Sequence, residues 1–266
     1  LSEFSVRFTS ALSGLIVIML IFTTAYRWYG LLPSLLAVSS LALNNIFIWR
    51  MRSGNIDTFV TLLIVLTYFL LIGNNKYKYP ILGILFACIY LTKASLVIFP
   101  LLIFVFYEFL INRKEVLKKY KEYLKLFSLF FLLSGIWLYL GYLKIGPDFV
   151  NYALFKSDQG VANINLTHIN FDYLQHMYYS LQRRFFWVLM IGAGFALFSL
   201  KKQKKLVLLL LYAFLLIIQL SFTEKNNNWY LVPSMPFWSL LIAYGTYRVI
   251  KLFRSNIIII GIIIAL

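Results

Sequence analysis

Charge in this chain is confined to short intervals, and the stretches between them are too long and too apolar for a water-soluble fold. No charged residue falls within 11–26, 126–143 or 206–222. Only 13% of the 266 residues are charged and 62% are hydrophobic, at a mean hydropathy of +0.82, whereas a soluble domain carries roughly 25% charged residues. Such runs belong in a bilayer, and a spanning helix takes about 20 residues. The chain therefore has room for roughly ten spans and for no soluble catalytic domain. The expected fold class is all-α: a polytopic transmembrane helical bundle of about ten segments, forming one domain over 1–266, with a long extracytoplasmic loop at 143–184.

Apolar runs bounded by charge, Gly, Asn or Pro predict helices at about 11–26, 31–48, 58–73, 80–91, 96–111, 126–142, 185–200, 206–222, 230–247 and from 257 onward. Only Lys93 interrupts the apolar stretch spanning the fourth and fifth of these. Keeping them separate places Arg27, Lys76, Lys78 and the basic residues of 113–125, 201–205 and 248–254 on one face. That face then holds 16 of the 25 basic residues, which the positive-inside rule assigns to the cytoplasm. Of the nine acids, Glu108, Glu115 and Glu122 fall on the cytoplasmic side. Glu3, Asp57, Asp148, Asp158, Asp172 and Glu224 fall outside, together with both histidines. Chemistry is expected on the outer face. Most of the +16 net charge is thus a consequence of threading. The basic residues are separated by apolar runs and form no continuous stripe, so nucleic acid is not an expected partner. The single cysteine, Cys88, excludes an intrachain disulfide and a cysteine zinc cage.

Residues 1–8 form an amphipathic stretch rather than the basic and apolar regions of a signal peptide, and 257–266 is too short to span alone. The expectation is an internal piece of a longer membrane protein. The spans show no inverted repeat and no ionisable group near mid-membrane apart from Glu108, which gives a proton relay little to work with. Asn44, Asn45 and Gln219 are polar intruders expected to hydrogen-bond between helices.

Four segments hold residue types that carry chemistry. In Arg50-Met51-Arg52-Ser53-Gly54-Asn55-Ile56-Asp57, Asp57 reads either as a helix cap or as a carboxylate that orients or deprotonates a hydroxyl. The two arginines read either as snorkelling side chains or as ligands for phosphate or for the carboxylate itself. Lys93 snorkels or faces a membrane-embedded phosphate. In the long loop, His168, Asp172 and His176 share the i, i+4, i+8 spacing of one helix face, a weak metal pattern, and Asn165-Leu166-Thr167 matches a glycosylation acceptor. Lys156, Arg183 and Arg184 are the loop's basic groups, the last two interface anchors beside Trp187. Last, Thr223-Glu224-Lys225-Asn226-Asn227-Asn228-Trp229-Tyr230-Leu231-Val232-Pro233-Ser234-Met235-Pro236 is either an aromatic belt or a rigid polar lip.

In order along the chain, several of these segments resemble one family. Glu3-Phe4-Ser5-Val6-Arg7-Phe8 with Ser10-Ala11-Leu12-Ser13-Gly14, then Tyr29-Gly30, Asn55-Ile56-Asp57, Leu91-Thr92-Lys93, and Lys225 with Trp229-Tyr230-Leu231-Val232-Pro233 and Pro236 look like the motifs of the GT-C glycosyltransferases. These enzymes use a polyprenyl-phosphate-linked sugar, and the group includes the protein O-mannosyltransferases and the bacterial lipid A aminoarabinose transferases. The resemblance implies a multi-pass protein of the bacterial or archaeal cytoplasmic membrane with its active site outside. It implies a polyprenyl-phosphate-linked sugar donor, membrane lipids around it, and a protein, lipid or glycan acceptor whose hydroxyl attacks with inversion. It implies Asp57 as a catalytic carboxylate, with the family's main catalytic aspartate in an outer loop ahead of Leu1. Arg52, Asn55, Lys93, Lys156, Lys225, Trp229 and Tyr230 are the implied substrate-binding residues. Nothing calls for a nucleotide, a metal or another cofactor. A multi-pass transporter or flippase of a lipid-linked saccharide, or an O-antigen polymerase or ligase, would share the polytopic body and the basic outer groups. A transporter would also need polar residues lining a path through the spans.

Overall fold

A computed structural model describes residues 3–111, 116–151, 153, 171–200, 203–222 and 227–253. Twelve α-helices are found among them and no strand. In chain order they are α1 (Glu3–Tyr29), α2 (Leu31–Ala42), α3 (Asn45–Arg52), α4 (Asp57–Ile72), α5 (Lys78–Thr92), α6 (Ile98–Ile111), α7 (Tyr120–Ile145), α8 (Pro147–Asn151), α9 (Asp172–Ser180), α10 (Arg184–Ser199), α11 (Lys204–Ser221) and α12 (Met235–Leu252). Short 3-10 segments at Ala94–Val97 and Asn228–Ser234 lead into α6 and α12.

The protein is an all-helical integral membrane protein, but its segments are unequal. Among the described residues, only α1 and α7 are long and apolar enough to span alone. The expected segment at 31–48 is the bent pair α2 and α3, turned by 62°. Asn44 makes the break: its side-chain oxygen caps α3 by accepting from the N–H groups of Ile46 and Phe47, both at 3.1 Å. α9 and α10 form a second bent pair at 113°, so the expected long loop at 143–184 carries helices at both of its ends. Helices α4 and α5 are shorter apolar elements; the 16 residues of α4 rise about 24 Å, less than the roughly 30 Å hydrocarbon core. The separation at Lys93 is present, since that residue leaves helical geometry (φ −155°, ψ 90°) before the 3-10 segment begins. The expected segment from 257 onward lies outside the described residues.

Helix α12 runs through the centre. Every residue from Met235 to Thr246 is buried, because α1, α2, α10 and α11 surround it, and a helix apolar on all sides suits such a position. In lipid, helices associate through close packing and interhelical hydrogen bonds rather than through exclusion of water, and both are present. Trp238 Nε1 donates to Ala213 O at 2.8 Å. Ser40 donates to Ser239 at 2.9 Å, Thr67 and Tyr212 share a 2.7 Å hydroxyl pair, and Asn44 Nδ2 reaches Ser180 O at 3.1 Å. Of the other polar intruders, Asn45 is exposed and the buried Gln219 Oε1 has no partner among the described residues. At the far end of α5 from Lys93, the buried Glu108 accepts from Tyr79 at 3.3 Å and from Tyr123 at 3.0 Å. These bonds tie α5, α6 and α7 together.

Helices α10 and α12 cross at Gly192 and Gly245. A Cβ on Gly192 would collide with the carbonyl oxygen of Leu241, and one on Gly245 would lie 2.8 Å from Gly192 Cα. Gly194, two residues further and on the opposite side of α10, has open space where a Cβ would lie. Thermal unfolding of the full-length protein in detergent should separate the two. Gly192→Ala is expected to destabilise by about 1–3 kcal/mol through overpacking. Gly194→Ala is expected to stabilise by up to about 0.5–1 kcal/mol through helix propensity.

Candidate functional site

The segment joining α3 to α4 is a tight turn pinned by α1. Gly54 takes φ +69°, a left-handed conformation that a side chain disfavours. Asn55 Oδ1 accepts from the backbone N–H of Asp57 at 3.3 Å. Ser10 Oγ lies 2.9 Å from the Arg50 carbonyl and 3.0 Å from that of Asn55, while Thr58 donates to the Ser10 carbonyl at 3.0 Å. One serine on α1 thus holds both ends of the turn, and with them the direction in which Arg50 and Asp57 point.

Asp57 begins α4, is only 4% exposed, and carries a cation on each oxygen. Oδ1 is 3.1 Å from Lys93 Nζ and Oδ2 is 3.2 Å from Arg50 Nη1. Lys93 reaches it because the chain breaks out of α5 at that residue. Both cations also lie over aromatic rings. The Arg50 guanidinium stands between two indoles, 4.5 Å from the Trp49 centroid and 4.6 Å from that of Trp229. Lys93 Nζ is 4.8 Å from the centroid of Tyr230. Trp229 and Tyr230 are neighbours on the 3-10 segment before α12, which packs on α3, α4, α9 and α11.

Among the described residues the charges of this group do not cancel. One carboxylate faces two cations, so Arg50, Asp57 and Lys93 together carry one positive charge in a largely buried place. Desolvating an ion costs several kcal/mol even after relaxation, and the ring faces offset part of that by about 0.5–2 kcal/mol each. Arg50 Nε, also buried, has no partner among the described residues. Beside the group, between the end of α5 and α7, is a cavity of about 230 Å³ with Ile56, Tyr90, Thr92, Lys93 and Trp137 among its lining residues. A buried centre with surplus positive charge, next to an apolar cavity, is suited to an anion attached to a hydrocarbon body.

Of the residues singled out from the sequence, Asp57, Lys93, Trp229 and Tyr230 come together here. Asn55 contributes to the turn through its side chain and sits beside them. Arg52 is exposed and does not join the ion pairs. Lys156, Lys225 and His168 lie outside the described residues; Asp172 and His176 are on α9. Of the two arginines read as possible ligands of the carboxylate, Arg50 and not the expected Arg52 is the one that pairs with Asp57. The available signal was helical spacing. Arg50 is three positions after the fully buried Phe47 and so shares its face, whereas Arg52, two residues on, points elsewhere.

Two solved structures of ArnT from Cupriavidus metallidurans share the fold. One, bound to undecaprenyl phosphate, is 17% identical with a TM-score of 0.71, the match covering 93% of this chain and 47% of that one. The other, in the apo state, is 16% identical with a TM-score of 0.72, covering 93% and 46%. The chain thus spans slightly less than half the length of each. No curated protein sequence matches it. The profile of the dolichyl-phosphate-mannose-protein mannosyltransferase family matches residues 1–139, just over half of the chain, and includes Arg50, Asp57 and Lys93. The chain belongs to the dolichyl-phosphate-mannose-protein mannosyltransferase family.

Proposed function

We propose that this chain is part of a membrane glycosyltransferase that takes its sugar from a polyprenyl-phosphate carrier on the extracytoplasmic face. The observation that carries the reading is the surplus positive charge of the Arg50, Asp57 and Lys93 group beneath Trp229 and Tyr230. A polyprenyl phosphate leaves the sugar as an anion. Preorganised cations near the departing oxygen stabilise the developing charge in the transition state, and they do so most strongly where water is excluded. The cavity beside Lys93 would take the first part of the hydrocarbon chain, and an acceptor hydroxyl would attack the anomeric carbon from the opposite side, inverting it. That one of the solved relatives of this fold is bound to undecaprenyl phosphate supports the choice of carrier. The excess of basic residues on the other set of loops supports the outward orientation.

In this reading Asp57 takes part in catalysis by holding its two cations in register, since both of its oxygens are engaged by them. The resemblance to GT-C enzymes puts the carboxylate that deprotonates the acceptor in a separate outer loop. Trp229 and Tyr230 cover the cations from above.

Two outcomes test this in the full-length protein reconstituted in liposomes with an undecaprenyl-phosphate-linked sugar. Asp57→Asn is expected to abolish transfer while the protein still inserts in the membrane, and Lys93→Met to lower kcat by about 10²–10³-fold; near-normal turnover in either variant would remove the group from the mechanism. Tyr230 separates a ring effect from a hydroxyl effect. Tyr230→Phe keeps the ring against Lys93 and is expected to retain most activity, whereas Tyr230→Leu loses a cation–π contact of about 0.5–2 kcal/mol, read as a severalfold drop in kcat/KM. The reverse order would assign the phenol hydroxyl, not the ring, to the work.

A further inference from the structure

A second apolar depression, of about 390 Å³, lies between α4 and α5 and is lined by Leu66, Phe69, Leu70, Ile81 and Leu85, with Gly73 and Asn75 at its end. It is remote from Asp57. Asp57 begins α4 and Gly73 follows its last residue, so the two ends are separated by about 24 Å of helix rise. The depression therefore opens in the leaflet opposite the proposed active site. Its volume falls within the roughly 300–1,000 Å³ of pockets that hold small molecules.

The polar end of this trough is specific. Asn75 Oδ1 accepts from the backbone N–H of Tyr77 at 2.8 Å and closes the turn between the helices. Lys78 Nζ is engaged by the Leu71 carbonyl at 2.8 Å. Lys76, between them, is exposed, its ammonium 5.7 Å from the ring of Tyr77, which is itself 60% exposed. An apolar trough whose end at Asn75 is followed directly by an exposed lysine and a largely exposed tyrosine ring is complementary to a lipid with a negative headgroup. The chain would lie along Leu66, Leu70 and Leu85 and the phosphate would face Lys76. A zwitterionic lipid would fill the trough equally well but would gain little from the lysine.

We propose that the trough between α4 and α5 is a binding site for one anionic phospholipid of the leaflet opposite Asp57, selected by Lys76. Native mass spectrometry of the full-length protein, titrated with phosphatidylglycerol or with phosphatidylcholine of the same chains, tests it. The wild type is expected to retain one phosphatidylglycerol with about fivefold preference over phosphatidylcholine, the effect of a single lysine at a membrane surface. Lys76→Glu should erase that preference and Lys251→Glu, at the end of α12, should leave it intact. Leu70→Trp, which fills the trough, should lower retention of both lipids. Equal retention of the two lipids by the wild type, or a preference that survives Lys76→Glu, would overturn the proposal. So would equal loss in the Lys76 and Lys251 variants. Because the readout is lipid retention and not transfer, its failure leaves the glycosyltransferase reading untouched, and the converse holds as well.

Discussion

A single carboxylate holding two cations organises one end of this molecule. Asp57 fixes Arg50 from the helix before it and Lys93 from the break after α5, so two consecutive helices and a residue 36 positions further on meet at one pair of oxygens. Removing the carboxylate would leave two largely buried cations uncompensated, and breaking a buried ion pair in this way costs about 3–5 kcal/mol. The group therefore depends on Asp57 above all, since neither cation keeps its carboxylate partner without it. Around it the protein supplies short-range order, with Ser10 and Thr58 fixing the turn and ring faces covering the cations.

The bundle beneath is built to keep that end still. Helix α12 is enclosed on all sides, and Gly192 against Gly245 lets α10 approach it at backbone contact. The hydroxyl bridges from Ser40 to Ser239 and from Thr67 to Tyr212 add direction where dispersion alone would permit sliding. Helix α5 is held at both of its ends. Tyr79 bonds Glu108 at one, and the residue just past its other end, Lys93, bonds Asp57. The position of Lys93 is therefore set partly by contacts a full helix length away.

Much of this was legible from the residue order because membranes enforce a simple grammar. Apolar runs between charges locate α4, α5, α6, α10 and α11 within two residues at each end, whereas α1 and α7 begin eight and six residues before their apolar runs, in stretches that carry charge, and the isolated Lys93 marks a real break. Where the reading missed, packing was the cause. The segment at 31–48 looked continuous because Asn44 and Asn45 resemble ordinary interhelical polar residues; that Asn44 caps a new helix depends on where α9 passes, since its amide also bonds Ser180. Which of the two arginines meets the carboxylate is decided by packing of the same kind. Arg50 and Arg52 have equal claims until it is known that α3 continues through Arg52 and that Trp229, 179 positions further on, lies over the Arg50 guanidinium. No local pattern announces a contact of that range. Lys93 and Tyr230 were legible as individual candidates, while their contact with each other was not.

The lip over the site consists of two adjacent residues that touch two different cations. Trp229 and Tyr230 sit on one rigid 3-10 segment containing Pro233, so neither can leave its cation without disturbing the other. The segment behaves as a single latch with two catches: lifting it uncovers Arg50 and Lys93 together and forfeits both ring contacts in one step. Under the proposed function, a neutral molecule at the two cations would return nothing for that loss, whereas an anion would compensate both catches at once. In that reading, discrimination for charge comes before any part of a ligand is recognised by shape.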